Sequence, residues 1–327
     1  MMLKKKSLTD LFLQNATYVM FGAVVLYFGV QQTSFLMPDS MANIVKQASF
    51  IGIAAIGMTF VLLTAGIDLS VGSVMYVAPL IAGLLMQALD LPPTMGLFIA
   101  IAVGGVLGAL NAFFIVVLRI VPFIATLSSL FLFRGFGTWL TSSKQFDFAD
   151  EFRAFGLSSL FHIPLPIWMF ALVLILAHYM LSHTGFGRQV YALGNSQEGA
   201  RKAGLKTASI QARCYMMCSA CAALSGYMLI SQIGRLDAGF GEGSEFDVIA
   251  AAVLGGVSLF GGVGSVFNAA VGAILIQTVK LGLVFTGVNL YAQPIMQGFI
   301  IFLAVLVDGI RDKRTTALLK RTIRPIQ

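Results

Sequence analysis

The sequence predicts an all-α protein, a polytopic transmembrane helical bundle of about ten membrane spans with a faint parallel internal repeat. Three observations predict it. Of the 327 residues, 58% are hydrophobic and only 11% charged, against roughly a quarter charged in an ordinary soluble domain. The mean hydropathy of +0.89, with 34 glycines and 27 phenylalanines, exceeds what one buried core absorbs. The apolar residues also fall into runs of about 20, the length a helix needs to cross a bilayer. A soluble globular domain, a disordered chain and a collagen are thereby excluded. The formal charge of +7 sits at the two ends and in one loop between apolar runs, which suits a membrane face and argues against nucleic acid as a partner.

Cutting the chain at its charges, prolines and glycine clusters gives the spans in order. Behind Lys4, Lys5 and Lys6, the first covers 16–37. It lacks an A-x-A-like cleavage site, so it reads as a retained anchor. The second, 44–66, and the third, 71–89, are separated by Gly66 to Ser70. The fourth, 95–118, follows Pro92 and Pro93; the fifth, 122–142, follows Arg119 and opens on Pro122. The sixth, 165–182, and the seventh, 213–233, flank the longest polar segment. The eighth, 246–260, is short and glycine-rich, and 264–285 and 294–310 complete the set. The stretch 235–247 reads as a re-entrant loop or a partly buried helix. The chain 1–327 is thus one transmembrane domain, with a membrane bundle over 16–310, a cytoplasmic loop over 183–212 and a cytoplasmic basic tail over 311–327.

An even span count places both termini on one side. With the N-terminus inside, Lys4 to Lys6, Arg119, Arg188, Arg201, Lys202, Lys206, Arg213 and the bases beyond Arg311 are cytoplasmic, as the positive-inside rule requires. Asp147, Asp150, Glu151, Asp237, Glu242, Glu245 and Asp247 then face out. Trp139 and Trp168 fall at the outer interface, where amphipathic rings prefer to sit. The repeat relates Ile53-Ala54-Ala55 through Val71-Gly72-Ser73-Val74 to Ile249-Ala250-Ala251 through Val263-Gly264-Ser265-Val266. Both copies run from outside to inside, as in a parallel duplication of a helix pair.

No enzymatic constellation is present: there is no H-E-x-x-H, G-x-S-x-G or Walker A pattern, and His162, His178 and His183 are scattered. Cys214, Cys218 and Cys221 share one helical face, with no fourth ligand nearby, and read as small packing residues. No metal or cofactor is expected. Three charges fall in or near the membrane, where an ionisable group must be compensated or useful. Arg134 lies about 18 Å into the fifth helix and should face the bundle, bonding to carbonyls or an acid. Lys280 is expected to snorkel to the interface. Asp68, in Gly66-Ile67-Asp68-Leu69-Ser70, can cap the next helix together with Ser70.

Within 183–212, a turn at Gly194 and Asn195 leads into Glu198-Gly199-Ala200-Arg201-Lys202-Ala203-Gly204. This is a short, small-residue helix ended by glycine. Small residues allow another protein to approach closely; a lipid-facing basic loop is the other reading.

Four blocks of residues carry a resemblance. They are Gly57-Met58-Thr59-Phe60 through Gly66-Ile67-Asp68-Leu69-Ser70-Val71-Gly72-Ser73; Val121-Pro122-Phe123-Ile124-Ala125-Thr126-Leu127 followed by Phe133-Arg134-Gly135; Gly185-Phe186-Gly187-Arg188 through Tyr191-Ala192-Leu193-Gly194-Asn195; and Ala250 to Gly256 through Gly261-Gly262-Val263-Gly264-Ser265. In this order and at these separations the chain resembles the ribose-type permease subunits of bacterial ABC monosaccharide importers, over roughly residues 40 to 312. The resemblance implies a multi-pass protein of the bacterial inner membrane. It further implies a second permease, the same or different, a cytoplasmic ABC ATPase for each, and a periplasmic sugar-binding protein.

It also makes 183–212 the coupling element, with Gly194, Asn195, Glu198, Ala200, Arg201 and Gly204 docking the ATPase. A conduit fed by a separate receptor needs no tight sugar site. Asp68, Asn111, Thr126, Arg134, Asn268 and Gln277 are the candidate pathway residues. Phe267 and Asn268 stand where the family pattern has small residues, and Lys280 where it has a smaller polar one. A proton-coupled transporter using Asp68 is the alternative reading.

Overall fold

The computed structural model describes residues 16–292 together with scattered residues between 294 and 302. Most of the expected tenth span, the basic tail and Lys4 to Lys6 lie outside the described residues. Among the described residues, seven helices are long and apolar enough to cross a membrane, and Thr17–Gln31 is a shorter apolar helix. The elements in order are α1 (Ala16–Gln31), α2 (Pro38–Leu63), α3 (Val71–Leu89), α4 (Pro93–Ala112) and α5 (Pro122–Thr141), then α6 (Asp150–Leu157) and α7 (Leu165–His183). They continue with α8 (Gly185–Asn195), α9 (Gln197–Lys202), α10 (Thr207–Ile233), α11 (Ser244–Leu254) and α12 (Val266–Phe285).

The helix ends follow from local chemistry. Proline opens α2, α4, α5 and α7 in the first turn, where its missing N–H costs nothing and its φ is already helical. Gly234 ends α10 in the left-handed region at φ 80°, the usual glycine stop. The fourth span closes on a π-turn, Phe113–Val117, ahead of Arg119.

At the centre lies α10, packed against α2, α3, α4 and α6. Small residues let the backbones meet. A methyl at Gly104 would strike the Ser219 carbonyl, and one at Gly108 the Tyr215 carbonyl, both on α10. Gly57 of α2 lies against Cys218 and Cys221, so the cysteines pack helix against helix. α12 packs on α2 and α11, with α1 against its outer side. By contrast, α5 and α7 keep most of their apolar surface exposed, as helices facing lipid or a partner do.

One span differs from expectation. The helix expected over 246–260 stops at Leu254, and Gly255 to Ser265 is unwound. Gly256, Gly261, Gly262 and Gly264 there have positive φ. Eleven residues of α11 rise only about 16 Å, half of a hydrocarbon core of about 30 Å, so α11 does not cross alone. Of the segment 235–247, expected as a re-entrant loop or a partly buried helix, Arg235–Leu236 pairs antiparallel with Phe146–Asp147, turns follow up to Gly243, and the last four residues open α11 with Glu245 and Asp247 buried. Together with α6 and a second ladder, Ser159–Leu160 with Ile163–Pro164, this makes a small cap on one end of the bundle. Trp139 and Trp168 sit at that end, with the Trp168 indole donating to the Leu160 carbonyl at 3.1 Å. The α8–α9 pair lies at the opposite end of α10.

Candidate coupling surface and transport path

The segment Thr64 to Ser70 between α2 and α3 is unwound and carries a buried polar node. Asp68 is fully buried. Its Oδ1 accepts the Ser70 N–H at 2.9 Å and the Ser70 hydroxyl at 2.6 Å, and the Ser70 hydroxyl in turn accepts from Asn111 Nδ2 at 2.8 Å. On the same segment, the Ile67 carbonyl accepts from Tyr215 at 3.3 Å and from Thr126 at 3.5 Å. Asp68, Asn111 and Thr126, from three places in the chain, therefore meet at one break in the helices. Ser70 and Tyr215 join them, and sequence reasoning passed over both as pathway residues. Nothing in the sequence separates Tyr215 from the other hydroxyls of α10, Ser219, Ser225, Tyr227 and Ser231.

Arg134 is apart from this node. From α5 its guanidinium donates to the Ala238 and Phe240 carbonyls at 2.7 and 3.1 Å and lies over the Tyr76 ring at 5.7 Å, a cation–π contact. It thereby ties α5 to the turns before α11. Glu245, expected to face out, is buried near Gly72. Asn268 accepts from the Tyr18 hydroxyl at 3.0 Å, which joins α12 to α1, and Gln277 lies half-buried on α12. Neither reaches the Asp68 node through any side-chain contact among the described residues.

Lys280, expected to snorkel to the interface, has an acidic partner. Its Nζ lies 2.5 Å from Asp247 Oδ2, with side-chain exposures of 29% and 11%. The pair bridges α12 to α11.

At the other end, α8 and α9 form a short helical hairpin between α7 and α10. Each is capped by its preceding hydroxyl. Thr184 accepts from the Gly187 N–H at 3.3 Å, and Ser196 accepts from the Gly199 N–H at 3.0 Å. Such caps supply an acceptor to otherwise orphaned N–H groups. Gly204, at φ 80°, closes α9, with its N–H on the Arg201 carbonyl and the Leu205 N–H on that of Ala200. The exposed Glu198 pairs with Lys202 at 2.7 Å, a surface contact of little energetic weight.

Of the six expected docking residues, Asn195, Glu198, Arg201 and Gly204 are exposed, whereas Ala200 is buried and Gly194 turns inward. These last two therefore seat the hairpin on its own bundle. Tyr191, quoted above only as part of a motif, does the same: its hydroxyl donates to the Gly264 carbonyl at 2.8 Å. Burial raises its pKa above the ordinary tyrosine value, so it stays a protonated donor.

The sequence that folds into this apolar bundle has relatives among known proteins. Residues 40–305 match the family described as branched-chain amino acid transport system / permease component. The chain belongs to this permease family. The ribose import permease protein of Escherichia coli (strain K12) is 35% identical over 84% of this permease and 87% of its own length. That of Bacillus subtilis (strain 168) is 34% identical over 87% and 89%. The galactose/methyl galactoside import permease protein of Haemophilus influenzae is 32% identical over 94% and 98%. No solved structure matches the permease significantly.

Proposed function

We propose that this permease is the membrane subunit of an ATP-driven importer that carries a monosaccharide from the periplasm into the cytoplasm. The observation that carries the reading is the α8–α9 hairpin. It is a rigid, doubly capped element with exposed Asn195, Glu198, Arg201 and Gly204, placed between two long helices and resting on the bundle's core. An ATPase seated there could move the helices without any ATP chemistry in this chain. The sugar-import names of the relatives supply the substrate class. A proton-coupled transporter would leave this hairpin without a task.

In this reading the chain 1–327 is one permease domain of ten spans in the inner membrane, with both termini cytoplasmic, 183–212 as coupling element and 311–327 as basic tail. Its partners are a second permease, a cytoplasmic ABC ATPase and a periplasmic sugar-binding protein. Two arrangements support the parallel repeat: α2, break, α3 on one hand and α11, break, α12 on the other. The second helix of each begins after a serine and on a valine, Ser70-Val71 and Ser265-Val266. Asp68, Asn111 and Thr126 line the pathway at the first break, and Arg134, Asn268 and Gln277 contribute elsewhere along it.

The test is affinity purification of the tagged chain from gently solubilised native membranes, followed by mass spectrometry. A stoichiometric ATPase with a Walker A motif is expected, and the Glu198→Arg variant should lose it while inserting normally. Purification of the wild-type chain alone, under conditions that preserve other membrane complexes, would exclude the importer.

A further inference from the structure

Three separate parts of the chain converge beneath the α8–α9 hairpin. The Gly262 N–H, in the second unwound segment, donates to the carbonyl of Leu63, the last residue of α2, at 3.0 Å. Beside this bond, Gly261 lies against Ala65, so the two helix breaks, Thr64–Ser70 and Gly255–Ser265, touch each other directly. The third part is the end of α8. Gly194 lies so close that a methyl group there would overlap the Leu63 oxygen and the Gly262 nitrogen. Three residues earlier, almost one turn along α8, the Tyr191 hydroxyl holds the Gly264 carbonyl at 2.8 Å. Gly261, Gly262 and Gly264 have φ of 87°, 72° and 147°. That backbone is available to glycine but strained for other residues. Ala65, facing Gly261, is itself left-handed at φ 58°.

We infer that Tyr191 and Gly194 form the mechanical link by which movement of the α8–α9 hairpin is imposed on both helix breaks at once. This rests on the importer reading. They are positioning residues, acting by shifting the two breaks. The physical reason is stiffness in series. α8 is a capped helix, its Gly194 makes backbone-to-backbone contact with no side chain to deform, and the tyrosine hydrogen bond resists separation. The breaks are the compliant partners, because Gly255–Ser265 has no helical hydrogen-bond ladder and already occupies glycine backbone conformations. Displacing α8 therefore leaves the helix intact and rearranges the breaks. The Asp68 node belongs to the first of those breaks, so its hydrogen bonds are carried along.

Two variants separate the link from packing in general. Tyr191→Phe removes one hydroxyl and keeps the ring. Gly194→Ala adds one methyl at the contact and should part the Gly262–Leu63 hydrogen bond. The probe is a cysteine at Val263, exposed between Gly262 and Gly264. Its rate of reaction with a fluorescent maleimide is measured in the purified complex with the ATPase, with and without ATP and vanadate. A parent chain lacking this cysteine corrects for Cys221, which is half-buried.

Vanadate trapping should change the rate at Val263→Cys by about fivefold or more in the parent, and by less than about twofold in Tyr191→Phe and Gly194→Ala. Nucleotide trapping by the ATPase should persist in both. A full rate change in both variants would overturn the link, as would an unresponsive Val263→Cys in a parent that traps nucleotide. Loss of trapping in a variant would make that residue a structural one and remove it from the link. If no ATPase binds the parent at all, the importer reading fails, an outcome separate from a trapping complex whose breaks move without Tyr191 and Gly194.

Discussion

Asp68, Ser70 and Asn111 illustrate how a polar group is kept inside a membrane bundle. Ser70 is the middle of the chain: it donates to Asp68 and accepts from Asn111. Replacing it with alanine leaves Asn111 Nδ2 without this acceptor and Asp68 Oδ1 with only the backbone N–H of residue 70, in a fully buried place where an unsatisfied group costs about 1–3 kcal/mol. Ser70→Ala should therefore lower the thermal unfolding midpoint in detergent by several degrees, whereas Asp68→Asn, which keeps the accepting oxygen, should lower it less. Equal effects would show that the Ser70 hydroxyl's bonds to Asp68 and Asn111 carry no weight. The pairing of Asp68 with Ser70 could be read from a two-residue spacing in the sequence. Its connection to Asn111, 41 positions away, could not, because nothing local distinguishes that asparagine from one facing lipid headgroups.

Between elements, charge and size decide which helices stay together. Lys280 and Asp247 bridge α12 and α11, the lysine half-buried and the carboxylate more so, and a partly buried pair weighs more than the roughly 0–1 kcal/mol of an exposed one. Lys280→Met should accordingly destabilise the protein far more than Lys280→Arg, as read by thermal denaturation monitored by circular dichroism. A similar effect of both would mean that the pair is not what holds α11 to α12. The contact between α4 and α10 depends instead on having no side chain. At Gly108 any Cβ meets the Tyr215 carbonyl, so Gly108→Val should force the helices apart and reduce the folded yield on size-exclusion chromatography, while Gly105→Val, at a position with open space, should not. Long apolar runs made α2 through α5, α7, α10 and α12 legible as spans. The end of α11 at Leu254 was hidden, because a run of alanine, valine and glycine is equally apolar whether helical or unwound.

For the whole molecule, the two ends of α10 differ in construction. One end carries the hairpin with Arg188, Arg201, Lys202 and Lys206; the other carries the small β ladders, α6 and the acidic residues Asp150 and Glu151. The positive-inside rule assigns the first end to the cytoplasm. In intact cells a membrane-impermeant maleimide should label Asp150→Cys and leave Glu198→Cys unlabelled until the membrane is opened. The reverse pattern would invert the topology and with it the assignment of the hairpin to an ATPase.

The sequence by itself determined that this protein is an all-α membrane protein, where most of its helices run and which polar segment stands out between them. Each of those is written in composition and in periodicity along the chain, which are one-dimensional. Only the tertiary structure decided that Asp68, Asn111 and Thr126 share one node while Arg134 and Asn268 do not, that Lys280 is paired, and that Gly194 and Ala200 face inward. These are outcomes of which helix backbones approach closely enough to touch, and that is set by the packing of small residues across helices far apart in sequence. The meeting of both helix breaks beneath Tyr191 and Gly194 is of the same kind. Glycine permits it, and the fold selects it.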